Sequence, residues 1–212
     1  MVFAAHPDDE SIGCGGSMAK YASQGRRLFL TCMTSSNSQD AREIRETEAH
    51  NAAKKLGVEE LFFLREPDRF LEYNRNALIP TINLLRRTRP DYIFIPHPDE
   101  HDRDHRSAYD ISSEAAWLSS SPYMPELGKP CDIKGIFMYE VWTPIQHPQY
   151  FEDITGFVQQ KRSAIECYGS QISHVNYADA AIGLNKFRGI MSGTGDFSEA
   201  FLIKRLRDVC MK

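Results

Sequence analysis

Short apolar runs rich in β-forming residues alternate along this chain with amphipathic segments of helix length, and that alternation constrains the fold more than any other feature. Met1–Ala5, Leu28–Met33, Leu61–Leu64, Tyr92–Ile95 and Ile136–Trp142 read as strands, the third short and buried. Gly15–Gln24, Ala41–Leu56, Asn74–Arg87, Arg106–Leu118 and Asp153–Tyr168 read as helices. Ala41–Leu56 spaces Ile44, Ala52, Ala53 and Leu56 for one face and stops at Gly57, a residue suited to a helix C-cap. Asn74–Arg87 carries Leu78, Ile79, Ile82 and Leu85 on one side and stops before Pro90. Strands joined by crossover helices build a mostly parallel sheet covered on both faces. The expected fold is therefore α/β, a three-layer Rossmann-like single domain over residues 1–212, with Ser119–Lys134 and Thr143–Phe151 as long loops.

A chain of 212 residues with 42% hydrophobic content can build such a core without disulfides or structural metal. Lys and Arg total 25 against 29 Asp and Glu, a formal charge of −4, and no polybasic run occurs. That balance argues against nucleic acid and anionic membrane as partners. No apolar stretch approaches the roughly 20 residues of a membrane span, and the opening MVFAAHPDDE lacks the basic and apolar regions of a secretion signal. Cys14, Cys32, Cys131, Cys167 and Cys210 are odd in number and form no C-x-x-C pair, which suits reduced thiols in a cytoplasm. Cytoplasmic localisation is the expectation.

Chemistry concentrates in two polar clusters, each directly after a strand: Ala5-His6-Pro7-Asp8-Asp9-Glu10 and His97-Pro98-Asp99-Glu100-His101-Asp102-Arg103-Asp104-His105. In open α/β sheets ligands bind beyond the carboxyl ends of strands, so two distant clusters can meet in one crevice. Pro7 stiffens the first turn and keeps His6 out of helical geometry. His6 and Asp9 can then aim an imidazole and a carboxylate at one point, with Asp8 beside it, a donor set that suits Zn²⁺. The competing reading has Asp8 or Asp9 simply capping the next helix. In the second cluster, three histidines at intervals of four are hard to explain by packing. A zincin-like pair at His101 and His105 would need Glu after the first His, where Asp102 stands. A solvated charged loop is the plain alternative. Gly13-Cys14-Gly15-Gly16 fails the G-x-G-x-x-G pattern because residue 18 is Met, so close helix–sheet packing explains those glycines better than a nucleotide.

On these residues the sequence resembles the PIG-L/LmbE-type zinc-dependent N-deacetylases. The family's A-H-P-D-D-E signature is intact at Ala5–Glu10, and Asp104-His105 matches its second signature. Arg45-x-x-Glu48, Ala52-Ala53, Leu56-Gly57 and Asp68 fit further landmarks, as do Tyr139–Trp142, Asp153-Ile154-Thr155, Lys161, Ser170-Gln171 and Glu199-Ala200-Phe201. The resemblance implies His6, Asp9 and His105 as metal ligands, Asp8 as general base, and Arg45 and Asp68 near the substrate. It implies Zn²⁺, with Fe²⁺ or Co²⁺ also able to use such ligands, and hydrolysis of the N-acetyl group of an N-acetylglucosamine-type sugar or glycoconjugate. A homo-oligomer is compatible with it. Where many members carry a histidine three residues before the last ligand, this chain has Asp102, flanked by His101, and either can face the substrate. The first strand, only five residues long, is consistent with a trimmed amino terminus. A non-catalytic metal- or sugar-binding module on the same fold is the alternative.

Overall fold

A computed structural model describes residues 1–173 and 175–207. Seven strands form one sheet: β1 (Val2–Ala4), β2 (Phe29–Thr34), β3 (Glu60–Glu66), β4 (Tyr92–Pro96), β5 (Gly135–Tyr139), β6 (Tyr150–Asp153) and β7 (Ser198–Leu206). Their order is β3-β2-β1-β4-β5-β7-β6. β1 to β5 run parallel, whereas β7 lies antiparallel to both β5 and β6. The winding reverses between β1 and β4, where Val2 pairs with Phe94. That reversal opens a crevice at the carboxyl ends of the two strands, and both polar clusters leave the sheet there.

The helices are α1 (Asp9–Ser23), α2 (Gln39–Leu56), α3 (Arg75–Thr88), α4 (Arg103–Ser119), α5 (Val158–Ile165), α6 (Gly169–Ile172) and α7 (Tyr177–Ser192). Side-chain alternation splits β1 between two cores. Val2 and Ala4 join Met18, Ala52, Leu56, Ala164 and Ala181 from α1, α2, α5 and α7, while Phe3 and Ala5 join Ile82, Leu85, Ala108 and Ile111 from α3 and α4. The glycines of the first helix serve close packing. A Cβ at Gly13 would lie 2.2 Å from Tyr139 Cδ2, and one at Gly16 would lie 2.7 Å from Ile154 Cδ1.

Several boundaries differ from the sequence reading. α1 begins at Asp9 instead of Gly15, with a non-helical break at Cys14 (φ −141°, ψ 20°). α4 begins at Arg103, three residues early, because Asp102 caps it by accepting the Asp104 N–H at 2.8 Å. β3 is not buried; it is the sheet edge, with half-exposed side chains. Ile136–Trp142 is strand only to Tyr139. Asp153–Tyr168 is not one helix: Asp153 ends β6, a 3₁₀ turn covers Thr155–Phe157, and α5 occupies Val158–Ile165. α7 and β7 went unread, since β7 buries Ser198 and Glu199 at positions a strand pattern would reserve for apolar residues. The four described cysteines are free thiols, and Cys210 lies outside the described residues.

Candidate active site

The turn after β1 is fixed by its own backbone. The Asp9 carboxylate accepts the His6 N–H at 2.8 Å, the Glu10 carboxylate accepts the Asp8 N–H at 3.2 Å, and Thr34 holds the Ala5 carbonyl through both its N–H and its hydroxyl at 2.9 Å. Glu10 is itself gripped by Ser11 (2.6 Å) and Tyr168 (2.7 Å). Asp8 consequently sits at φ 118°, a left-handed conformation rare for a residue with a Cβ. Strain of this kind persists only where its surroundings over-determine it, and it clusters at functional sites. Asp8 stands at the N-cap position of α1, but its side chain makes no capping bond.

His6, Asp9 and His105 each offer a donor atom, all within 4.8 Å of one another, and all three residues are buried. His6 Nδ1 lies 3.6 Å from Asp9 Oδ2, and His105 Nε2 lies 3.1 Å from Asp9 Oδ1. The opposite ring nitrogens face carboxylates. His6 Nε2 stands 3.2 Å from Asp104 Oδ2 and 3.4 Å from Asp68 Oδ1, while His105 Nδ1 stands 3.5 Å from Glu100 Oε2. Carboxylates behind each imidazole hold metal-binding histidines in one tautomer and one orientation.

Asp104 and Glu100 are anchored in turn. Asp104 accepts the N–H groups of Arg69 (2.7 Å) and Leu71 (3.2 Å). Glu100 accepts those of Val141 (2.6 Å), Trp142 (3.1 Å) and Thr143 (3.2 Å). The residues present fit a divalent cation, because Asp9 Oδ1 and His105 Nε2, buried and 3.1 Å apart as an ion pair, make no well-aligned hydrogen bond to each other or to any other described residue. Such orphaned polar atoms are costly in a folded protein unless something charged completes them.

Electrostatics agree with that reading. Burial pushes the Asp8 carboxyl up to about 8, the neighbouring Asp9 charge adding to it and Arg45 opposing it. Burial alone would lower His105, yet the Asp9 charge and the Asp9 and Glu100 contacts outweigh it and raise the imidazole to about 10. Asp9, which burial would raise, is held far below the usual carboxylate range by His105 and His6. The surrounding carboxylates thus favour the protonated imidazoles, with which a cation would compete.

The remaining candidates divide. Arg45 donates to the Pro7 carbonyl at 2.6 Å and lies 3.6 Å from Asp8 Oδ2, so it steadies the strained turn. Asp68 reaches the site through His6. Asp102 is engaged elsewhere, capping α4 and pairing with Arg69 at 2.6 Å. His101 is exposed; its N–H donates to Thr143 Oγ1 at 2.8 Å and its carbonyl accepts from Arg106. His97 is buried, its Nε2 2.8 Å from the Thr143 carbonyl, and it braces the loop.

Sequence reasoning missed Glu100 as a support of His105. Its signal was an acidic residue five positions before a candidate ligand histidine, inside a segment already crowded with carboxylates. The rings of Trp142 and His105 are stacked at 6.2 Å and 20°, and Tyr177 leans on the indole at 4.9 Å, forming an aromatic wall.

The fold and site together define a class of protein: a doubly wound α/β sheet with a buried His–Asp–His cluster, of a kind that could hold a metal ion, at its winding reversal beside a strained carboxylate. Residues 1–116 match the PIG-L family, described as GlcNAc-PI de-N-acetylase, and the chain belongs to that family. A 1D-myo-inositol 2-acetamido-2-deoxy-alpha-D-glucopyranoside deacetylase of Streptomyces scabiei is 29% identical over 199 residues, covering 76% of this chain and 59% of the relative. This chain thus spans about six-tenths of that curated relative's length. A 4-oxalmesaconate hydratase of Pseudomonas putida is 26% identical, covering 81% of this chain and 73% of the relative. Among solved structures, a conserved protein of Thermus thermophilus, TT1542, superimposes with a TM-score of 0.90 at 27% identity, covering 100% of this chain and 97% of that one. The N,N'-diacetylchitobiose deacetylase of Pyrococcus horikoshii does so with 0.83 at 26% identity, covering 95% and 82%.

Proposed function

We propose that this protein is a metal-dependent hydrolase that removes the N-acetyl group from an N-acetylglucosamine-type sugar or glycoconjugate. The observation that carries the reading is the meeting of three buried donors, His6, Asp9 and His105, next to the strained carboxylate of Asp8. Zn²⁺ suits two imidazoles and a carboxylate best, with Fe²⁺ and Co²⁺ as alternatives. Bound there, a divalent cation supplies Lewis acidity, acidifying water and polarising an acyl oxygen.

The chain's own residues supply the rest. Asp8 takes the proton of the attacking water as general base and returns it to the departing amine, a role that needs a carboxyl whose pKa lies near neutrality. Arg45 orients Asp8 from one side. Asp68 and His101 are positioned, in this proposal, to meet sugar hydroxyls, and His101 can share the return of the proton. Asp102 contributes through α4 and Arg69 and does not contact the substrate. A reducing cytoplasm is the proposed setting, consistent with the free thiols and with the lack of any described helix long and apolar enough to cross a membrane.

Acetate release from N-acetylglucosamine and its inositol and chitobiose conjugates, with and without chelator, tests the assignment. Asp8→Asn should lower turnover by roughly 10²–10⁴ while zinc stoichiometry stays at wild type. A binding module would lose nothing on that substitution. Water addition to an unsaturated carboxylate without acetate release would move the protein toward its hydratase relative.

A further inference from the structure

α1 is interrupted, and a buried ion pair sits in the interruption. At Cys14 the backbone leaves helical geometry, which strips local partners from groups on both sides. Glu199, on β7, accepts the N–H groups of Gly16 (2.8 Å) and Ser17 (2.7 Å) and the Ser17 hydroxyl (2.6 Å), so it caps the second half of the helix. Lys161, on α5, donates to the Ile12 carbonyl at 2.7 Å and so closes the first half, while pairing with Glu199 at 2.6 Å. Both side chains are fully buried. From Ile12 the path to the site is one hydrogen bond long, since the Ile12 N–H donates to the Asp8 carbonyl at 3.0 Å.

A buried ion pair is a poor way to gain stability, because desolvation offsets its attraction and an apolar pair of similar volume often does as well. An apolar pair could not, however, cap two helix ends that face each other across a break. Glycines on both sides of the break let Tyr139 and Ile154 pack where a Cβ would clash. The turn bearing Asp8 and Asp9 is thereby tied, through Ile12, to the Lys161–Glu199 pair.

We infer that Lys161 and Glu199 are positioning residues for the candidate metal site, holding the first turn of α1 at the orientation from which Asp9 meets His6 and His105. The inference rests on the metal-site reading given above. It is tested by zinc affinity (chelator competition), the visible absorption of the Co²⁺-loaded protein and thermal melting, on Lys161→Met and Glu199→Gln. Arg86→Met is the control. Arg86 is also buried but ties five carbonyls, that of Leu118 in α4 and four between Ser121 and Gly128, against α3 on the other face of the sheet.

All three variants should melt earlier. Only Lys161→Met and Glu199→Gln should also weaken zinc binding, by roughly tenfold or more, and alter the Co²⁺ bands. Zinc affinity and Co²⁺ spectrum unchanged in those two variants, with melting lowered as in the control, would overturn the inference and leave the pair merely structural. Should both fail to fold, Ser17→Ala removes a single bond to Glu199 and should weaken zinc in the same direction; unchanged affinity there overturns it equally. Wild-type protein that takes up no stoichiometric zinc, or His6→Ala that keeps it, would remove the metal-site reading itself and this inference with it.

Discussion

The segments that follow β1 and β4 open with the same three residues, His-Pro-Asp, and do different work with them. After β1 only four residues precede α1, which starts at Asp9, so His6 and Asp9 face one point and Asp8 is trapped between them. After β4 the chain runs on for six residues before α4 begins, and the first histidine is used as a brace. His97 holds the Thr143 carbonyl, Glu100 gathers three backbone N–H groups, Asp102 caps α4, Asp104 backs His6, and His105, in the first turn of the helix, joins the candidate cation site. An identical tripeptide at the end of a parallel strand therefore does not define a ligand. What decides is how soon the following helix begins and which side chains its start consumes.

That contrast can be broken or sharpened by substitution. The largest effect is expected at the histidines that open the two segments. His6→Ala should abolish stoichiometric zinc uptake, whereas His97→Gln should retain it while melting earlier, as read by equilibrium dialysis and calorimetry. Equal loss of zinc from both would erase the distinction. Glu100→Gln comes next: the amide keeps the shape but loses the charge behind His105, and zinc affinity should fall by roughly 10–100-fold.

The pH dependence of the chelated protein follows from His105. Its folded pKa, about 10, exceeds the ordinary 6.5, so the pairing with Asp9 stabilises fully below pH 6.5 and is lost as pH rises through 10. Melting of the chelated wild type should thus decline across that window, and His105→Gln should flatten the decline. The smallest effect belongs to His101, whose exposed ring makes no hydrogen bond among the described residues. His101→Ala should leave zinc affinity unchanged and show itself only in a modest loss of turnover and a raised KM for the sugar; a loss of zinc would restore the helical His-pair reading.

How much was legible beforehand depends on the distance over which each signal acts. The strands β1, β2 and β4 and the helices α2 and α3 are written locally, in apolar spacing and in caps such as Ser38, Asn74 and Gly57. β3 misled because an apolar run reads as buried until its place at the sheet edge is known. The 153–168 segment misled because Asp153 and Thr155 bond to each other and end the strand before the helical pattern starts. β7 was invisible because its buried Glu199 obeys a partner on another helix.

The sequence alone determined the parallel α/β architecture, the two strand-end clusters and the residue types able to hold a cation, since each depends on periodicity or on chemistry carried within a few residues. Tertiary structure decided which polar residues converge and which are spent as caps and braces. It also decided the pairing of Lys161 with Glu199 inside α1, because those outcomes depend on contacts between groups far apart in the chain, made only when the sheet closes around them.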